Sequence, residues 1–421
     1  MTTKARAAGE PDQDGFPSWA ERVHHELANR ARVDPQLEMT ACGAPCDEAA
    51  CYTPQPPLYY NPLLGRAARF HAAHLSLNNY FAHTSSCTLL SNIPTLYPNQ
   101  CDGAAACSCE GGVNQCSGTC TSAQGRVSLW GAGYGGEIIA SGGSPNSAFY
   151  LWLYEDAGGD SQCHFTMDNG HRWLLLTNSG GVGFGVDGRH VGDFGSSAPD
   201  WVHPIPSGTH WPRQSGTVEA WANWYDSSAP LSALVNVEGT CQPMTLERGT
   251  ADNGAYRADV TGVGSGCHRY YFVFADSMNT PVTFPSTGSL GIGPEGSCDD
   301  WNTDRPALGS GCDCTPSCGG SVCGDDGCGG TCGDCAANEH CVNGQCESTA
   351  DPDAGPGPDT GPGSDSSTPG DGAAPSGDAS GDDPPGDISG GCSCRAAGAT
   401  AGQTAFVVTL LLLLWLARRR R

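Results

Sequence analysis

Apolar residues recur at helical spacing early in the chain and at strand spacing later. Ser18 precedes Trp19 and has Glu21 three residues on, a capping-box pattern. From there Trp19, Val23, Leu27 and Ala31 mark one helical face, and Asp34-Pro35 ends the run. A second helix is predicted from Asn61-Pro62, where a proline at the first helical position sacrifices no hydrogen bond. Leu63, Ala67, Phe70, His74 and Leu77 share its face, and Asn78-Asn79 closes it. A third opens at Ser144-Pro145 and runs through Phe149, Trp152 and Leu153 to Asp156, before Gly158-Gly159. After His171 the texture changes. Residues 173–176 and 182–186 are predicted strands separated by an Asn-Ser-Gly-Gly turn, and 232–237 and 270–274 are further short apolar runs of strand type.

These patterns divide the chain. Residues 18–195 form a mixed α and β unit interrupted by a cysteine-rich insertion at 87–120. Residues 196–297 form a β-rich module, expected to be a small β-sandwich stapled by Cys241 to Cys267; the alternative is an extended embellishment of the first unit. Residues 312–346 hold eight cysteines between Cys314 and Cys346, so crosslinks must replace a hydrophobic core there. Residues 347–390 contain no Lys or Arg and little apolar surface, which predicts a disordered acidic stalk. Residues 405–417 are almost wholly apolar and are followed by four arginines. Counted back to residue 396, the segment is long enough for a transmembrane helix with its arginines on the cytoplasmic side.

Charge and cysteine content narrow the function classes. A net charge of -25, with Lys plus Arg at only 20, leaves no basic footprint for nucleic acid. The 24 cysteines, at spacings mostly unlike zinc sites, point to a disulfide framework and an oxidising, extracytoplasmic compartment. They fall into groups of even count, each of which can pair within itself, and Cys332-x-x-Cys335 reads as structural rather than redox-active. Residues 1–17 are polar and show no export signal, which suggests that the true reading frame starts further upstream.

Several segments resemble the CAP superfamily, also called SCP/PR-1 or cysteine-rich secretory proteins. In order they are NRARVDP at 29–35, PLYYNPLLGRAARFHAAHL with NNYFAHTS, GYGGEIIASG, a helix containing WLYE, the turn GHR, and GVGFGV. The resemblance implies a fold class of α+β: a three-layer α-β-α CAP sandwich, here followed by a small β-sandwich, a disulfide-rich module, a disordered stalk and a C-terminal transmembrane helix. It also implies a cleft with two histidines and two acids, matched by His83, Glu137, Glu155 and His171. Ile138 stands where the family commonly has Asn, and the Arg172-Trp173 continuation departs from the family's usual forms. The tail, with Cys392 and Cys394 before the apolar run and terminal arginines, resembles a myxobacterial MYXO-CTERM sorting signal. That implies a C-terminal sorting protease, lipid on one of these cysteines, and anchoring at the cell surface through the membrane.

Two imidazoles suit Zn2+ or another divalent cation, and nearby carboxylates can orient them. His83 and His171 are therefore the expected metal ligands, and all four cleft residues would be catalytic if the protein is an enzyme. His24-His25-Glu26 lacks the second histidine of a zincin, His71 and His74 read as packing or solvent-facing residues, and His164 is a weaker cleft neighbour. The expected function is an extracytoplasmic, surface-anchored module binding a lipid, glycan or protein ligand. The alternatives are a metal-dependent hydrolase or peptidase using the His/Glu cleft, and a structural envelope protein.

Overall fold

The computed structural model describes residues 17–40, 48–97, 108–110, 120–154, 163–166, 169–178, 180–196, 203–312 and parts of 318–348. Among these, the helices are α1 (Trp19–Val33), α2 (Pro35–Thr40), α3 (Pro62–Leu77), α4 (Ile93–Leu96), α5 (Ala123–Leu129), α6 (Pro145–Tyr154) and α7 (Gly170–Thr177). A first sheet combines β1 (Tyr59–Tyr60), β2 (Gly136–Ala140), β3 (Gly181–Val186) and β4 (His190–Phe194) in the order β1-β3-β4-β2. Strand β1 runs parallel to β3, and the other pairings are antiparallel.

The GVGFGV sequence of β3 shows how helices reach this sheet. Val182 and Phe184 join the core on the α1 side. Gly183 and Gly185 point the other way, onto α3. A Cβ on Gly183 would lie 2.0 Å from the Gly65 nitrogen, and one on Gly185 would lie 2.2 Å from the Arg69 nitrogen. Backbone therefore meets backbone, and no residue but glycine fits. Asn61 starts α3 by accepting from the Leu63 amide at 2.9 Å, while its own amide donates to the Val182 carbonyl at 2.8 Å, so the cap also docks the helix to β3.

Helix α1 carries the capping box its sequence predicts. Its burial exceeds the predicted face, since every residue from Glu21 to Val33 is buried. A second sheet explains this. It comprises β5 (Gly208–Trp211), β6 (Thr217–Tyr225), β9 (Thr245–Thr250) and β10 (Asn253–Thr261) in the order β5-β6-β10-β9, and it covers the side of α1 that faces away from β3. Trp221 and Ala255 from this sheet share one core with Val23, Leu27 and Ala31. Several polar residues of α1 consequently find their partners inside. Asn29 donates to the Leu58 carbonyl at 3.1 Å and to Ser207 at 3.0 Å, Arg30 pairs with Glu38 at 2.8 Å, and Arg32 donates to the Pro56 and Leu175 carbonyls.

The other face of the second sheet packs on a third. That sheet contains β7 (Ser232–Val237), β8 (Thr240–Pro243), β11 (His268–Ala275), β12 (Pro281–Phe284), β13 (Ser289–Ile292) and β14 (Trp301–Asn302), in the order β14-β13-β11-β7-β8, with β12 also pairing with β11. Val218, Ala220, Ala222 and Trp224 interdigitate with Val235, Tyr270, Phe272 and Phe274 between the two. A small hairpin of β15 (Glu339–Val342) and β16 (Gln345–Ser348) follows.

Several expectations are corrected. The staple is not Cys241 to Cys267: Cys241 bonds Cys312, and Cys267 bonds Cys298. These groups cross-pair, and the β-rich region extends past residue 297 to β14 and Cys312. Cys332 and Cys335 bond Cys318 and Cys346 rather than each other. Residues 173–176 are helical, within α7, because a four-residue apolar run fits a buried helix turn as well as a strand. The chain is a mixed α+β protein with several open sheets. The expected transmembrane helix, like Cys392, Cys394 and the stalk, lies outside the described residues. No helix among the described residues is long and apolar enough to cross a membrane. The membrane partner and the surface anchoring built on that helix are therefore not carried further.

Candidate functional site

His83 sits on the segment that leaves α3, just after Asn79, whose φ of 50° turns the chain. Its Nδ1 lies 2.8 Å from Oε1 of Glu137 on β2. Half of the His83 side chain is exposed, whereas the Glu137 carboxylate is fully buried. The buried carboxylate thus fixes the imidazole and turns its Nε2 outward.

Arg126 holds the arrangement from behind. Ser122 caps α5 by accepting from the Gly125 amide at 3.1 Å, which places Arg126 one turn in. The guanidinium ion-pairs with Oε2 of Glu137, donates to the His83 carbonyl at 3.2 Å and donates to Ser85 Oγ at 3.0 Å. One buried cation therefore ties the histidine's backbone to the histidine's carboxylate. His71 approaches from α3, with Nε2 3.9 Å from Glu137 but donating to the Ala82 carbonyl at 3.0 Å.

Asp193 on β4 pairs in register with Glu137 on β2 and is fully buried. Burial alone would raise the Glu137 carboxyl, but the Arg126 charge and the His83 hydrogen bond outweigh it and hold it at about 2. For Asp193, burial first and the Glu137 charge second push the carboxyl well above the usual range. Burial and the Glu137 charge thus oppose a second negative charge on Asp193, while Arg126 balances the one on Glu137.

His171 is half-buried on the first turn of α7. Its neighbour Arg172 is structural, paired with Glu48 at 2.8 Å and bonded to the Leu153 carbonyl at 3.0 Å. The disulfide Cys51–Cys163 ties down the same region. Glu155 lies outside the described residues. His164 passes its carbonyl to Asn169. On α1, His24 bonds His190 at 2.9 Å and His25 bonds the Leu58 carbonyl at 2.8 Å, so both are core residues.

Among the described residues, two groups bring three metal-ligating side chains within 4.8 Å of one another: His74 with Cys87 and Cys109, and Cys323 with Cys335 and Cys346. A His/Cys cluster able to coordinate a divalent cation is thus present, and it includes neither of the expected ligands His83 and His171. Its two sulfurs are joined as the disulfide Cys87–Cys109. The second group consists of members of the disulfides Cys323–Cys341 and Cys335–Cys346.

Arg126, Asp193 and His71 were not among the expected site residues. Asp193 left one signal, an acid inside the otherwise apolar strand HVGDF. Arg126 left none, because QGRVSLW reads as an ordinary amphipathic turn. Among known proteins, no family model matches this chain, and no curated protein matches it.

Proposed function

We propose that this chain is a CAP-like module whose His83 centre takes a divalent cation, Zn2+ first, and that metal-assisted hydrolysis is the activity this centre serves. The observation that carries the reading is the half-exposed His83 imidazole held by a fully buried carboxylate. A carboxylate on one ring nitrogen fixes the tautomer that leaves the other nitrogen's lone pair for a metal, and it raises the ligand's basicity. With Glu137 ionised, Nδ1 carries the proton and Nε2 is the donor. His171, and Glu155 beyond the described residues, are the further ligand and acid that the CAP resemblance implies. A bound divalent cation would acidify its water and polarise a carbonyl. The chain's own part is to orient His83 through Glu137 and to keep that carboxylate charged through Arg126.

The test is zinc calorimetry on the oxidised full chain, with His83→Ala/His171→Ala and Glu137→Gln beside it, followed by a peptide-cleavage screen. One-site binding that the double variant abolishes and Glu137→Gln weakens by roughly 10–100-fold supports the cation site. Cleavage that needs the cation supports hydrolysis. Absence of binding to the native chain, or binding indifferent to His83, overturns the reading. Binding without turnover leaves the module that takes a lipid, glycan or protein ligand.

A further inference from the structure

The strongest unassigned cluster lies behind the His83 centre, where α3 meets the cysteine-rich insertion. His74, Cys87 and Cys109 are all buried there. His74 Nε2 faces the Cys109 sulfur at 3.7 Å, and His74 Nδ1 faces the Tyr80 hydroxyl at 2.9 Å. The backbone around it is pinned, since Leu89 bridges Cys109 and Thr121 donates its amide to the Cys87 carbonyl at 3.2 Å.

We propose that His74, Cys87 and Cys109 form a redox-gated zinc site, closed by the disulfide and opened to a Cys2His donor set when a dithiol reduces it. This site is separate from the His83 centre and does not depend on it.

Geometry supports the donor set. Zinc bonds of about 2.3 Å to sulfur and 2.0–2.1 Å to nitrogen, at a tetrahedral angle, place the two donors roughly 3.6 Å apart. The Cys109 sulfur and His74 Nε2 already stand 3.7 Å apart. Two zinc-bound thiolates need a separation of roughly 3.8 Å, which rotation of the Cys87 and Cys109 side chains supplies once the bond is broken. Tyr80 is positioned to accept from His74 Nδ1–H, which leaves Nε2 as the metal donor. The Ser108 hydroxyl, 3.7 Å from the Cys109 sulfur, or a water completes four-coordination. Two thiolates and a neutral imidazole cancel the Zn2+ charge, which a buried site requires.

The chemistry balances. A dithiol transfers two electrons and two protons, breaking the Cys87–Cys109 bond to give two thiols while it closes to its own cyclic disulfide. Zn2+ then displaces the two thiol protons. With the disulfide intact the sulfurs are not thiolates and do not bind the metal well.

The experiment uses the full chain under graded dithiothreitol, with folding followed by circular dichroism. Zn2+ is added or withheld, and each cysteine is then assigned an alkylation rate by mass spectrometry. Zinc is expected to protect Cys87 and Cys109 together. Protection should vanish in His74→Ala, need roughly 10–100-fold more zinc in Tyr80→Phe, and persist in His83→Ala. Tyr80→Phe retains the aromatic packing, so it remains informative if His74→Ala fails to fold. Equal alkylation of Cys87 and Cys109 with and without zinc overturns the proposal. Protection indifferent to both His74 and Tyr80, or a bond that dithiothreitol never opens while the chain stays folded, overturns it too. Zinc binding by the oxidised chain that His83→Ala abolishes reports on the His83 centre, so failure of either site is read separately.

Discussion

Glu137 and Asp193 stand directly opposite each other across β2 and β4, two carboxyls in one buried site served by the single guanidinium of Arg126. The charge count is therefore tight. Arg126→Met leaves the Glu137 charge without its counter-ion, and the expected loss of stability is about 3–5 kcal/mol in urea denaturation. Asp193→Asn should cost far less, because burial and the Glu137 charge already disfavour the ionised form of the carboxyl it replaces. If the two variants are equally destabilised, this ranking of the two carboxyls is wrong.

The buried histidines set an acid limit on stability. Burial is the leading cause that lowers His24, His25, His71, His74, His190 and His210, with His25 and His74 brought to about 4 and His210 to about 3. Below pH 6.5 the unfolded chain takes up protons that these folded sites refuse, so stability falls as pH drops from about 6.5 to about 4. Glu26 opposes this. Burial raises it to about 7, so the folded chain keeps a proton that the unfolded chain sheds above pH 4.5. Asp193 acts in the same sense as Glu26. The histidines outnumber these two acids, and a fully buried one moved from 6.5 to about 4 carries on the order of 3 kcal/mol. Melting temperatures measured from pH 7.5 to 4 should fall. A flat or rising profile would count against neutral buried histidines.

How much of this was legible depended on whether the signal was local. Ser18 and Glu21 announced the start of α1, and Asn61-Pro62 that of α3, because caps are satisfied within one turn of chain. The histidine-carboxylate contact of His83 and Glu137 came from motif resemblance, not from spacing. What escaped was non-local. The charged residues of NRAR look solvated until a second sheet covers them. WLLL fits either period, and Arg126 acquires meaning only when α5 is laid against β2.

Gly185 tests the backbone contact between β3 and α3. In Gly185→Ala the new methyl meets the Arg69 nitrogen at 2.2 Å, so helix and sheet must separate. A loss of more than about 3 kcal/mol, or failure to fold, is expected. Gly143→Ala meets nothing within 4 Å and should leave the unfolding midpoint unchanged. Similar midpoints for the two variants would contradict the observed packing.

The last expectation concerns what counts as a folding unit. Trp221 from β6 packs in one core with Val23, Leu27 and Ala31, and Arg30 lies over its ring at 4.8 Å. Asn29 finds a partner in Ser207, and the Trp19 indole donates to the His210 carbonyl at 2.8 Å. Cutting the chain at residue 195 would expose this apolar strip and strand the polar groups of α1 that now bond across it, each costing about 1–3 kcal/mol. A fragment of residues 18–195 should therefore show no cooperative unfolding transition, whereas a fragment of residues 17–312 should melt once. Coincident loss of near- and far-ultraviolet circular dichroism in the longer piece would establish the single unit. A sharp transition in the shorter one would show that α1 needs only the first sheet, and would restore the β-rich region as an independent module.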